Sequence, residues 1–235
     1  MYFKKNIEIL KTIDTNLSDA IIAAKKDKDL QILTSKTGIP SLKAGHITIH
    51  SLYDPIKEAE EWVEHHKEKI KRASSVVVLG FGLGYHIMEL CKLELLKVSE
   101  IDVVVFEPRI DILRTALEAV DLTSILKRVK IITSDETLLL TKGFKILEHK
   151  PSVTISRGYF EKILLRLKAL QRVKNGLKIM VVGPIYGGSL PIARYCVAAL
   201  KKLGHTVDFV DCSIFKDAFF CIYKIKDNIM DQDYL

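Results

Sequence analysis

From Ser75 onward the chain alternates short apolar runs with amphipathic stretches, and that alternation limits the folds open to it. "SVVVLG" (75–80), "IDVVVFE" (101–107), "VKIIT" (129–133), "PSVTIS" (151–156), "KIMVVG" (178–183) and "TVDFVD" (206–211) read as strands. "YHIMELCKLELLK", "RIDILRTALEAV", "GYFEKILLRLKALQRVK" and "SLPIARYCVAALKKLG" carry apolar residues at helical spacing, and "DETLLLTKGFKILEH" does so more weakly. Strands without polar alternation suit a sheet covered on both faces. Regular strand–helix alternation with right-handed crossovers predicts an α/β fold on a doubly wound, mostly parallel, Rossmann-like sheet.

Upstream, residues 3–25 have the apolar spacing of a helix, and "LQILTSKTGIPSLKAGHITIHS" predicts two or three short antiparallel strands. Asp54 is placed to cap a helix that opens with Pro55. Gly204 is placed to end the helix before "TVDFVD". Three segments follow: an N-terminal helix and β-hairpin region over 1–54, a Rossmann core over 55–175, and a βαβ segment over 176–235. The last either completes the same sheet or starts a second domain. In the first case its later strands would run antiparallel, and in either case the segment is expected to pack on the first sheet or on another copy, as a homodimer.

Hydrophobic residues make up 48% of the 235, which is enough for a real core, and no apolar run approaches the roughly 20 residues of a membrane span. The N-terminus lacks the pattern of a signal peptide, so a cytoplasmic protein is expected. Cys91, Cys196, Cys212 and Cys221 are scattered and read as free buried thiols. The formal charge of +7 is spread along the chain without aromatic-interleaved basic blocks, which disfavours a nucleic-acid partner.

The run 76–79 ends at Gly80, Gly82 and Gly84, within "LGFGLGYH". Glycines after a strand let a ligand lie against the backbone, and the helix that follows aims unpaired N–H groups at it. The next strand ends in Glu107, where an acid accepts hydrogen bonds from ribose hydroxyls. The expected binding set here is Gly80, Phe81, Gly82, Gly84, Tyr85, Glu107 and Pro108. "VVGPIYGGSLPIARY" repeats the logic in Gly183, Tyr186, Gly187, Gly188 and Ser189, with Asp211 at the tip of the following strand.

The first loop and its acid resemble class I S-adenosylmethionine-dependent methyltransferases. That resemblance implies S-adenosylmethionine as a cofactor, with Ser134 and Asp135 near its adenine. The family's Pro-Pro-aromatic motif is missing from "PSVTISRGYF", which offers no base. The second loop is similar to the start of a GT-B glycosyltransferase, which implies a nucleotide-sugar there. With "ITIHSLYDPIKEAE" and "VVVFEPRIDILRTALE" added, most of the chain resembles bacterial proteins in which a methyltransferase-like module precedes a spore-maturation-type GT-B domain. The stretch 40–160 resembles the module of motility accessory factors, which glycosylate flagellin. The resemblance implies a glycan or protein acceptor. The chain stops soon after Asp211, so a complete GT-B transferase is not expected of it.

Three functions follow. The first is a nucleoside-cofactor-binding module of a glycosyltransferase-like protein. The second is an active methyltransferase working by in-line transfer through orientation. The third is a Rossmann scaffold without catalysis. Among the histidines, His46, His50, His65 and His66 read as exposed, and His86 as packing at a helix start. Arg109 and Arg157 follow strand ends and could meet an anion, though each reads more simply as a solvated charge. No catalytic residue and no metal site is assigned.

Overall fold

A computed structural model describes residues 2–25, 27–71, 73–93, 96, 101–134, 143–174, 176–183 and 191–212. They fall into two compact units, divided between Lys168 and Ala169.

The first unit opens with α1 (Tyr2–Lys11) and α2 (Thr15–Ala23). The single expected helix breaks at residues 12–14, where the Asp14 side chain accepts the Leu17 N–H at 2.9 Å and starts a second helix. Strands β1 (Leu30–Thr34), β2 (Pro40–Ala44) and β3 (Ile47–Thr48) form the expected antiparallel sheet. α3 (Pro55–Ile70) starts as predicted: Asp54 Oδ1 accepts the N–H groups of Ile56 and Lys57, each at 3.0 Å.

The central sheet contains β4 (Ser75–Leu79), β5 (Asp102–Phe106), β6 (Val129–Ile132) and β7 (Lys145–Glu148), all parallel, in the order β6-β5-β4-β7. It is flanked by α4 (Tyr85–Lys92), α5 (Ile110–Ala119) and the short α6 (Thr123–Leu126), with α3 against α4 and α1 and α2 against α5. Every residue of β4 is buried, as two covered faces require. This is a Rossmann-like α/β arrangement. The strand order reverses between β4 and β7, and ligands of open α/β sheets bind beyond the carboxyl ends of such a switch point.

One stretch differs from expectation. "PSVTIS" is not a strand: residues Lys150–Ile155 form α7, and the fourth strand is the preceding Lys145–Glu148. Pro151 in the first turn fits the helix, because its missing N–H would have had no partner there. α8 (Arg157–Lys174) follows.

In the second unit, β8 (Lys178–Gly183) and β9 (Thr206–Asp211) pair in parallel as a two-stranded sheet of their own, joined through α9 (Ile192–Lys202). β9 therefore runs parallel to β8 rather than antiparallel to it. Gly204 has φ +86° and closes α9 by donating to the Lys201 carbonyl at 3.0 Å. Met180, Val182, Ile192 and Tyr195 are exposed. The last segment with expected structure, 214–228, lies outside the described residues.

Candidate functional site

The loop after β4 is closely packed. Gly80 and Gly82 have φ of +96° and +53°, a region that L side chains rarely adopt. A Cβ on Gly80 would lie 2.2 Å from the Ser152 Cβ, and one on Gly82 would lie 2.5 Å from His50 Nε2. Phe81, Leu83 and Tyr85 are buried beside them, and the Tyr85 hydroxyl donates to the Pro40 carbonyl at 2.8 Å. The glycines are thus required by the protein's own packing.

Glu107 stands at the tip of β5, next to the loop as expected, but it is 1% exposed. One carboxylate oxygen accepts the Phe81 N–H at 2.9 Å, and the other accepts the Arg109 N–H at 3.1 Å. The carboxylate ties the loop to β5. Burial pushes its pKa up to about 7, opposed by those two bonds and by the Arg109 charge. The Arg109 guanidinium pairs with Asp111 and with Asp27. Pro108 is half-buried beside Glu107. The Ser134 carbonyl accepts the Tyr159 hydroxyl at 2.7 Å. Asp135 lies outside the described residues, as do Tyr186, Gly187, Gly188 and Ser189 of the second loop; of that loop only Gly183, the last residue of β8, is described. Arg157 is an exposed partner of Glu161.

Three histidines far apart in the sequence meet behind the loop. His50 is buried, against expectation, because it follows β3 directly into the core. Its Nε2 accepts the Leu83 N–H at 2.8 Å, so the proton sits on Nδ1, 3.8 Å from Glu58 Oε2. His86 Nε2 lies 3.1 Å from the Gly80 carbonyl oxygen. A carbonyl only accepts, so Nε2 carries the proton, and the buried Nδ1 is an acceptor without a partner among the described residues. His149 stacks on His86 with centroids 4.2 Å apart, and its Nδ1 is 2.8 Å from Ser152 Oγ. Burial holds all three imidazoles neutral: His86 falls to about 4, and His50 and His149 go well below the usual range. The sequence gives no spacing signal for this cluster, since only the fold joins positions 50, 86 and 149.

Beside this plug opens a cavity of about 620 Å³, in the size range of small-molecule sites. The three histidines form part of its wall with Trp62, and His65, His66, Lys69, Lys150, Glu58 and Glu61 line the rest. Trp62 Nε1 donates to the Glu148 carbonyl at 3.2 Å, which fixes α3 against β7. His66, read from sequence as exposed, is half-buried, and His65 is exposed as expected. Among the described residues no group of three histidine, cysteine or acidic side chains could hold a metal, and Cys196 is an exposed thiol rather than a buried one. No helix among the described residues is long and apolar enough to cross a membrane.

No curated protein and no solved structure matches the chain. Residues 43–143, from the end of β2 through the first glycine loop and Glu107, match the family model of the glycosyltransferase Maf N-terminal domain, which associates this chain with Maf-type glycosyltransferases.

Proposed function

We propose that this chain serves glycosylation as the amino-terminal module of a Maf-type glycosyltransferase, and that its α/β core binds a small molecule rather than carrying out the transfer. The match over residues 43–143 carries this reading. The geometry adds that the first loop is a packed joint and that an open cavity adjoins it. Deleting the gene from its cell of origin should remove glycan mass from the modified proteins, read by intact-protein mass spectrometry, and restoring it should bring the mass back. Unchanged glycoprotein masses would refute the proposal.

A second reading puts S-adenosylmethionine at the first loop, as a bound cofactor or as a methyl donor. The position of Glu107 at the tip of β5, against the loop N–H groups, favours it. Transfer of labelled methyl groups from S-adenosylmethionine to a glycan or protein would establish the catalytic form. A nucleotide-sugar at the second loop would belong to the transferase half of the same system.

A further inference from the structure

The cavity beside the histidine plug has a divided chemistry. Around His66 the basic groups gather: Lys69, Lys150 and His65 all act on its imidazole, and all line the cavity. Neither lysine forms a salt bridge among the described residues, although acids are close in sequence. Acids line it too: Glu58 feels Glu61 and accepts the Ser51 N–H at 2.8 Å, and Glu148 stands at the end of β7, two residues before Lys150. Between these groups stands an aromatic wall of Trp62, His66, His86 and His149, with ring centroids 4.2–5.1 Å apart. The unmatched acceptor of His86 is part of that wall.

Each part selects a ligand feature. Two lysines without an arginine suit a compact tetrahedral anion better than a planar carboxylate, which arginine grips through two parallel bonds. An aromatic wall suits a ring. Carboxylates suit hydroxyl donors, and a phosphate without hydroxyls would leave them unmatched. We infer that the Trp62–His66–Lys69–Lys150 cavity binds a phosphorylated, hydroxyl-bearing ring compound, a sugar phosphate or a nucleoside monophosphate, with the phosphate between Lys69 and Lys150. The assignment rests on the proposal that the α/β core binds a small molecule and names its class, while the glycosylation half of that proposal is tested separately.

The test is titration calorimetry of the full chain with glucose 6-phosphate, AMP, inorganic phosphate and glucose. Saturable binding of glucose 6-phosphate, of AMP or of both is expected, stronger than for inorganic phosphate, and the organic arm that binds identifies the ring. The double variant Lys69→Ala/Lys150→Ala should bind about tenfold more weakly or worse. Both lysines are exposed, so the variant should fold, which circular dichroism checks. In NMR titrations the bound phosphate should raise the pKa of the His66 imidazole. Three results would each overturn the inference: no binding of either organic phosphate at 10 mM (about 2.7 kcal/mol of affinity), equal binding by inorganic phosphate, or full affinity in the double variant. Loss of glycan in the deletion strain would be unaffected by any of them.

Discussion

Lowering the pH should unfold this protein early, by an amount the buried groups set. His50, His86 and His149 are neutral in the fold, with pKa values below the 6.5 of the free side chain. In the unfolded chain they take up protons below about pH 6.5, so the stability they allow is fully present above that value and is lost as the pH falls. Between pH 6.5 and 5.5 the linkage relation gives a loss of about 1 kcal/mol per histidine, since the unfolded imidazole is already half protonated at the start. Glu107 works in the opposite direction. Its folded pKa of about 7 lies above the unfolded 4.5, so protonation favours the fold and returns about 1.2 kcal/mol over the same interval. The net loss is about 2 kcal/mol, a large share of the roughly 5–15 kcal/mol that stabilises a typical domain. The partly exposed His66 and Glu58 shift in opposite senses. Asp121, depressed to about 2, acts only at more acid pH. Urea unfolding followed by the fluorescence of Trp62, the single tryptophan, reads the change directly. Glu107→Gln removes the opposing contribution and should steepen the loss to about 3 kcal/mol over the same unit. A flat stability between pH 6.5 and 5.5, or resonances of His50, His86 or His149 titrating near 6.5 in the folded protein, would refute the buried neutral cluster.

Other substitutions probe the same frame by urea or thermal unfolding. Gly82→Ala puts a Cβ against His50 Nε2 at a positive φ and should cost about 2–4 kcal/mol, whereas Gly158→Ala, with open space around its Cβ, should stabilise by up to about 1 kcal/mol. Asn6 is fully buried and bonds the carbonyls of Leu117 and Val120 and the N–H of Leu122, so Asn6→Ala should cost about 3 kcal/mol by leaving three backbone groups unmatched. Asp54→Ala removes the two cap bonds of α3 and should cost about 1 kcal/mol.

The parallel sheet was readable because its strands are β-branched runs closed by turn residues, as in Val76–Leu79 before Gly80. The α3 cap was readable because Asp54 and Pro55 act locally. The segment 151–156 misled through its β-branched Val153, Thr154 and Ile155, while Pro151 held the correct signal for a helix start. The glycine loop was visible, but not what presses on it: His50 and Ser152 reach Gly82 and Gly80 only through long-range folding. Glu107 illustrates the same limit. Its position at the strand tip is local, and its two backbone partners are set by how tightly the loop closes.

The central claim is that the switch-point crevice is filled by the protein itself and that small molecules enter the neighbouring cavity. Backbone NMR of the full chain during titration with S-adenosylhomocysteine and, separately, whichever of glucose 6-phosphate and AMP binds in calorimetry tests it most directly. The account predicts that the amides of Phe81, Leu83 and Arg109 stay fixed with the first compound, while the Trp62 indole N–H and the His66 amide move with the second. Saturable movement of Phe81, Leu83 and Arg109 with S-adenosylhomocysteine would contradict it.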